Sequence, residues 1–149
     1  KGARNARSGR RSATILTALS TLIPTITGQF QIKTYDTKLI VDAMKPSGPG
    51  VSVVTATYNE RENIQLFVER VRESLKGLEH EIVIVDDSFP DGTYLEARRL
   101  ADKALLMRKA GQTRSLLIRI KSSEYPTIVT LDADLENPPE FIPYMLKTF

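Results

Sequence analysis

Three acidic side chains stand at alternate positions within residues 127–140 (TIVTLDADLENPPE). The segment begins as a short apolar strand, passes Asp132, Asp134 and Glu136, and continues through two prolines into a new helix. Because alternate residues of an extended chain point to the same side, these carboxylates can converge on one cation. Hard oxygen ligands of this kind select Mg²⁺ or Mn²⁺, which leave coordination positions for substrate phosphates. The competing interpretation is a strand-end acid pair that caps the next helix; the surrounding pattern favours the metal site.

Two further polar clusters follow earlier apolar runs. The first is TYNE at residues 57–60, in which Tyr58 can stack on a base and Glu60 can bond to its edge. The second is the pair Asp86 and Asp87, where one acid can accept hydrogen bonds from a base or a ribose. Simple packing of the tyrosine and a turn-stabilising acid pair are the competing interpretations.

One basic cluster lies inside the globular part of the sequence, at residues 108–114 (RKAGQTR). It follows the third apolar run and precedes a predicted helix, and helix N-termini are favourable places for phosphate. Arg114 is therefore a candidate phosphate contact. A solvated charged loop is the alternative interpretation.

The elements that must position these clusters alternate along the chain. Strands are predicted at residues 51–56, 81–87 and 104–107 and from residue 127, and each is followed by a helix pattern. The first helix has an N-cap candidate at Asn59, with Glu62 in the capping-box position. Its apolar residues recur with a 3.6-residue period: Ile64, Phe67, Val68, Val71, Leu75 and Leu78. The later helices are predicted to begin at Asp91 or Thr93, at Gly111 or Thr113, and at Glu140.

This alternation predicts an α/β fold with a doubly wound, mostly parallel sheet, because apolar strands separated by helices are buried on both faces. In such sheets ligands bind at the carboxyl ends of the strands. The three polar clusters all lie at those ends. We therefore expect them to face one crevice.

Composition narrows the possible functions. The 149 residues suffice for one domain with a core, and the absence of cysteine excludes disulfides and thiolate metal sites. A single histidine, His80, argues against a histidine zinc site or a Ser-His-Asp triad. No glycine-rich dinucleotide or P-loop motif follows the first strand, and no stretch approaches the ~20 apolar residues of a membrane span.

The net charge of +3 is unevenly distributed. Residues 1–43 carry seven Lys/Arg and two acids, which leaves the rest of the chain mildly acidic and argues against a nucleic-acid-binding domain. We divide the chain into a basic leader (1–43), a linker (44–50) and a domain (51–149). The leader is expected to be disordered or non-native, since Met44 resembles a true start; a transit-like or surface-binding leader is the alternative.

Three ordered motifs resemble family 2 glycosyltransferases of the GT-A fold. They are residues 53–64 (VVTATYNERENI), residues 84–93 (IVDDSFPDGT) and residues 132–140 (DADLENPPE). Within that family they are most similar to the dolichol-phosphate mannose synthases and related polyprenyl-phosphate glycosyltransferases. The resemblance covers residues 51–149, which would form the nucleotide-sugar-binding part of a longer catalytic domain.

The resemblance implies functions for particular residues. Nucleotide-sugar binding would fall to Thr57, Tyr58, Glu60, Val85, Asp87 and Asp132. Catalytic Asp132 and Asp134, with Glu136, would hold Mg²⁺ or Mn²⁺ against the diphosphate. The implied donor is GDP-mannose or UDP-glucose, with mannose favoured, and the implied acceptor is a polyprenyl or dolichyl phosphate at the cytoplasmic face of a membrane. The implied reaction is inversion by direct displacement.

The chain also departs from the family pattern. Ala56 replaces a common proline, Glu136 stands where Gln is frequent, and Arg119 occupies a position where a small residue is usual. The acceptor-side half would lie beyond Phe149, so this chain alone can bind nucleotide without completing the reaction. Two other functions remain open: a family 2 enzyme with a sugar or protein acceptor, and a non-catalytic nucleotide-binding module whose leader docks on lipid or RNA.

Overall fold

A computed structural model describes residues 14–17, 49–87, 90–107 and 118–148 of the chain. Five strands are described: β1 (Thr14–Thr17), β2 (Val51–Thr57), β3 (His80–Asp86), β4 (Lys103–Leu106) and β5 (Thr127–Thr130). The helices are α1 (Arg61–Ser74), α2 (Thr93–Leu100) and α3 (Ile142–Lys147), with a 3₁₀ turn at Pro139–Phe141 and further helical residues at 118–122.

The described strands form one sheet in the order β1-β5-β2-β3-β4, and every neighbouring pair is parallel. From β2 the chain proceeds outward through β3 and β4, and then returns to place β5 on the other side of β2. This reversal confirms the predicted doubly wound α/β fold. It also places a topological switch point between β2 and β5, where ligands bind in sheets of this type.

Successive strand residues point to opposite faces of the sheet, and each face has its own core. On one face α1 contributes Ile64, Phe67 and Val71, which pack with α2, α3 and the inward side chains of β2 and β3. On the other face Ile120 joins a smaller cluster around Val54 and Ile128. Both clusters are fully apolar inside. The strands are rich in apolar and β-branched residues because both of their faces are covered, although Ser52, Thr55 and Glu81 are also buried there.

Three details differ from the sequence-based expectations. β1 was not predicted: four residues of the leader pair with β5 in parallel register, from Thr14 opposite Thr127 to Thr17 opposite Thr130. Leu78 does not belong to the buried face of α1, because the helix ends at Ser74 and the side chain is half-exposed. The final helical segment begins as a 3₁₀ turn at Pro139, before Glu140.

The division into leader, linker and domain stays a prediction outside β1, because residues 1–13 and 18–48 lie outside the described part of the chain. Among the residues that the structure describes, none of the helices is long and apolar enough to cross a membrane.

Candidate functional site

The carboxyl ends of β2, β3 and β5 bring the three predicted polar clusters to one edge of the sheet. Thr57 at the end of β2 pairs in register with Asp86 at the end of β3. On the other side of β2, Val54 pairs with Thr130, and the amide of Leu131 donates to the carbonyl of Val54. Residues that follow all three strands therefore lie at the edge of the sheet next to the switch point.

The acidic segment after β5 keeps its alternating pattern beyond the end of the strand. Asp132 and Asp134 are exposed, whereas Ala133 between them is buried. A turn follows, in which the amide of Glu136 donates to Oδ1 of Asp134 at 3.0 Å and Leu135 adopts a left-handed φ of 65°. The turn keeps the third carboxylate on the solvent side with the other two.

Electrostatics at this segment show an excess of negative charge. Partial burial raises the pKa of Asp132, and the adjacent carboxylate of Asp134 raises it further. Two more distant carboxylates, those of Glu136 and Glu60, act in the same direction. Glu60 belongs to the first cluster, so the carboxylates of the first and third clusters lie near enough to affect each other.

Arg119 provides a positive charge that opposes this effect. Its guanidinium lowers the pKa of Asp132, while partial burial lowers the pKa of Arg119 itself. It lies in the helical residues 118–122, next to Ile120 of the second core cluster. The sequence marked Arg119 only as a departure from the family pattern; its nearness to Asp132 comes from tertiary packing.

The fit of this segment to a divalent cation depends on how many ligands the protein must supply. Among the described residues, no group of three His, Cys, Asp or Glu side chains is close enough together to hold a metal ion. Mg²⁺, however, is usually held by one or two carboxylates together with substrate phosphates. Asp132 and Asp134 supply those carboxylates, and their repulsion would be relieved by a cation. The residues therefore fit a metal ion whose remaining ligands would come from the phosphates of the donor.

The acid pair at the end of β3 divides into a buried and an exposed member. Asp86 is fully buried, and its Oδ1 accepts a hydrogen bond from the hydroxyl of Thr57 at 3.2 Å. Asp87 is exposed at the crevice, with its amide bonded to the carbonyl of Thr57. Val85 and Thr57 have buried side chains, which leaves Asp87 as the accessible side chain among these residues.

The loop between β2 and α1 carries the first cluster. The ring of Tyr58 is 57% exposed, and Glu60 accepts a hydrogen bond from the side chain of Asn63 at 2.6 Å. The predicted cap at Asn59 is wrong: this residue adopts a left-handed φ of 59°, and α1 begins at Arg61 after Glu60 in the N-cap position. No side chain of the loop itself caps the helix.

Two residues that precede or begin α2 hold this loop instead. The amide of Glu60 donates to the hydroxyl of Thr93 at 3.0 Å, and the amide of Arg61 donates to Oδ2 of Asp91 at 3.4 Å. From the sequence, these two residues were expected only to form a turn and to cap their own helix. Their contact with the first cluster spans some thirty residues, and no local pattern reveals it.

Arg114, the candidate phosphate contact, lies outside the described residues, as does the whole basic cluster at residues 108–114. The site as described therefore consists of the exposed Asp87, the Tyr58–Glu60 loop, the acidic segment at residues 132–136, and Arg119. Its side chains can hold a cation and an anionic ligand together at the switch point.

Sequence comparison with known proteins finds a matching family and several similar enzymes. The sequence model described as "Glycosyl transferase family 2" matches residues 52–149. Over 102 residues the chain is 37% identical to a dolichol-phosphate mannosyltransferase of Pyrococcus furiosus, covering 65% of this chain and 29% of that protein. It is also 35% identical to an undecaprenyl-phosphate 4-deoxy-4-formamido-L-arabinose transferase of Pseudomonas syringae pv. syringae, over 106 residues that cover 65% and 32% of the two proteins.

A third similar protein is the undecaprenyl-phosphate 4-deoxy-4-formamido-L-arabinose transferase of Photorhabdus laumondii, 37% identical over 107 residues, or 66% of this chain and 33% of that protein. The chain thus spans about a third of the length of the curated relatives it matches. The family model covers well over half of the chain, and it includes all three polar clusters. The chain belongs to glycosyl transferase family 2.

Proposed function

We propose that this chain forms the donor-binding part of a metal-dependent, inverting glycosyltransferase. The enzyme would move a sugar from a nucleoside-diphosphate sugar to a polyprenyl or dolichyl phosphate. The observation that carries the proposal is that the ends of β2, β3 and β5 bring the Tyr58–Glu60 loop, Asp87 and the acidic segment to one edge of the sheet, at its switch point. A loop that can contact a nucleoside and a segment that can hold a cation, at the same edge, are what a nucleoside diphosphate requires.

Each part of the site has a task in this proposal. Tyr58 and Glu60 contact the base, and Asp87 accepts hydrogen bonds from the nucleoside. Asp132 and Asp134 hold the divalent ion, with Glu136 adding negative charge nearby. When bound, that ion would offset the charge that develops on the departing nucleoside diphosphate.

The acceptor requires little from the chain. A lipid phosphate is already an anion, so its oxygen can attack the anomeric carbon without a general base as the bond to the diphosphate breaks. This agrees with a site built from carboxylates in a chain with a single histidine. The names of the relatives support such an acceptor, since they include dolichol phosphate and undecaprenyl phosphate. A lipid acceptor also implies that the protein works at a membrane surface, and we propose that this is the cytoplasmic face.

The names of the relatives differ in the sugar, mannose in one and formamido-arabinose in the others. We propose GDP-mannose as the donor to test first, and UDP-glucose second. Calorimetric titration of the folded chain with each, with and without Mn²⁺, is the direct experiment. We expect one of the two donors to bind, and to bind more tightly when Mn²⁺ is present.

The same titration on two variants tests the site. Asp134→Ala should abolish metal-dependent binding, because it removes one of the two carboxylates proposed to hold the cation. Glu69→Ala is the matched control, since Glu69 is an exposed acid on the outer face of α1. Unchanged binding by Asp134→Ala would refute the site assignment. Absence of binding by the folded unmodified chain would refute the proposal that it binds the donor by itself.

A further inference from the structure

The loop that carries Tyr58 and Glu60 is held by groups from another part of the chain. Asn59 adopts a left-handed φ, which asparagine tolerates better than most residues other than glycine, so this residue turns the chain between β2 and α1. The loop also ends at the N-terminus of α1, where backbone N–H groups have no partner within the helix. Neither Asn59 nor the N-cap residue Glu60 supplies a side-chain cap.

Thr93 supplies that support from another part of the chain. Its side chain is completely buried, and its hydroxyl accepts the Glu60 amide at 3.0 Å. The same hydroxyl donates to Oδ2 of Asp91 at 2.5 Å, so its orientation is fixed. Oδ1 of Asp91 accepts the amide of Thr93 at 3.0 Å, which closes a compact ring of hydrogen bonds. One hydroxyl therefore links the loop of the first cluster to the segment that follows the second.

This arrangement decides how the two nucleotide-binding segments are spaced. Thr93 begins α2, the helix that follows the β3 end where Asp87 is exposed. Its hydroxyl contacts the backbone of Glu60, whose carboxylate contributes to the field at Asp132. A shift of this backbone would move Tyr58 and Glu60 together relative to Asp87 and the acidic segment.

We propose that Thr93, oriented by Asp91, is a positioning residue for donor binding: it holds the Tyr58–Glu60 loop at the spacing that the nucleoside requires. This inference rests on the proposed function, because it assumes that the loop contacts the donor. It adds to the proposal two residues that do not touch the donor and were not predicted to belong to the site.

The experiment compares Thr93→Val with Thr93→Ser. Valine keeps the volume of the side chain but cannot accept the Glu60 amide, whereas serine keeps the hydroxyl. We expect Thr93→Val to weaken metal-dependent donor binding by about tenfold, since the net effect of one hydrogen bond corresponds to roughly that factor. The separate variant Thr93→Ser should bind the donor with an affinity within about twofold of that of the unmodified chain.

Ser52→Ala is the control for a loss of stability without a change at the site. Ser52 is also fully buried and donates to a carboxylate, but it lies near the amino-terminal end of β2, opposite the crevice. We expect this variant to lower the melting temperature and to leave donor affinity unchanged at a temperature where all samples are folded. Amide hydrogen exchange adds a local readout: exchange at Glu60 and Arg61 should accelerate in Thr93→Val and not in Ser52→Ala.

The outcomes separate the two proposals. If the unmodified chain binds donor and Thr93→Val binds equally well, the positioning proposal is overturned while the proposed function stands. An equal loss of affinity in Thr93→Val and Ser52→Ala would also overturn it, because the effect would then reflect stability alone. If the unmodified folded chain binds no donor, the proposed function fails, and the positioning proposal fails with it.

Discussion

Replacing Glu81 by alanine tests how the amino-terminal ends of β2, β3 and β5, at the edge of the sheet away from the polar clusters, are held together. The Glu81 side chain is only 5% exposed, although it lies near the start of β3 and is charged. One carboxylate oxygen accepts the hydroxyl of Ser52 and the amide of Glu124, and the other lies 3.0 Å from Nζ of Lys103. The amide of Tyr125 in turn donates to Oγ of Ser52, so this network fixes the residues that lead into β5.

The change in the free energy of unfolding can be estimated from the groups that lose a hydrogen-bond partner in Glu81→Ala. Lys103 is 32% exposed and keeps both the Glu124 carboxylate at 3.0 Å and the carbonyl of Ser122 at 3.0 Å, so it contributes little to the loss. The hydroxyl of Ser52 and the amide of Glu124 lose a charged acceptor, at about 1.5 kcal/mol each. We therefore expect Glu81→Ala to lower the free energy of unfolding by about 3 kcal/mol, a large share of the 5–15 kcal/mol typical of a domain.

Urea unfolding followed by far-ultraviolet circular dichroism is the appropriate assay, because the chain contains no tryptophan. Glu73→Ala is the matched control, since Glu73 pairs with Lys76 while both side chains are 77% exposed. This control should change stability by less than about 0.5 kcal/mol. If Glu81→Ala costs no more than Glu73→Ala, the network does not hold the start of β5 and the reasoning is wrong.

Three further predictions concern charge and packing. Arg119→Ala should raise the Mn²⁺ affinity of the nucleotide-free chain about fivefold by removing a cation near Asp132, whereas Lys121→Ala should not; unchanged Mn²⁺ titrations would contradict this. Burial raises the pKa of Asp91, but its hydrogen bonds lower it more and hold it below the usual value. The charged carboxylate therefore stabilises the fold near pH 7 and loses this effect below about pH 4. Urea unfolding at several pH values should show that the stability lost in Asp91→Asn is largest near pH 7 and shrinks below about pH 4. Phe67→Ala should cost about 3–5 kcal/mol in the same assay, because the ring is completely buried; a loss below about 1 kcal/mol would mean that the core rearranges to fill the cavity.

Most of the fold was predictable because its strands are buried on both faces. The runs at residues 51–56 and 81–87 stand out by their β-branched and apolar residues; the first ends one residue later than predicted, and the second begins and ends one residue earlier. β1 was not predictable in the same way, because its partner β5 lies more than a hundred residues away. A four-residue edge strand forms because it pairs with that distant strand, and the local sequence pattern does not reveal the pairing.

The site was predictable to the extent that strand ends determine it. Asp87 and Asp132 were placed at one edge simply because parallel strands end on the same side. The cap of α1 was predicted wrongly because Asn59 and Glu62 match the capping-box pattern. In the structure the backbone amides at the start of the helix donate instead to side chains of Thr93 and Asp91. Local capping chemistry cannot anticipate a donor–acceptor pair that only the packing of α1 against α2 brings together.

The charge balance of the crevice leads to a final prediction about coupling. The described site places Glu60, Asp132, Asp134 and Glu136 in one field, with Arg119 opposing it. A nucleoside diphosphate brings more negative charge, so its binding without a divalent ion should be weak. Linkage requires that the factor by which Mn²⁺ strengthens nucleotide binding equals the factor by which nucleotide strengthens Mn²⁺ binding.

Two independent titrations measure that factor, one of GDP or UDP into the chain with and without Mn²⁺, and one of Mn²⁺ with and without the nucleotide. Each should be corrected for the metal–nucleotide complex that forms in solution. We expect a coupling of about 5- to 150-fold, the usual range for linked sites. Asp134→Asn should reduce it, because the bridge between carboxylate and diphosphate loses one charged ligand. Nucleotide binding that is equally tight without metal would mean that cations of the chain neutralise the diphosphate, and Arg119→Ala would then weaken nucleotide binding directly.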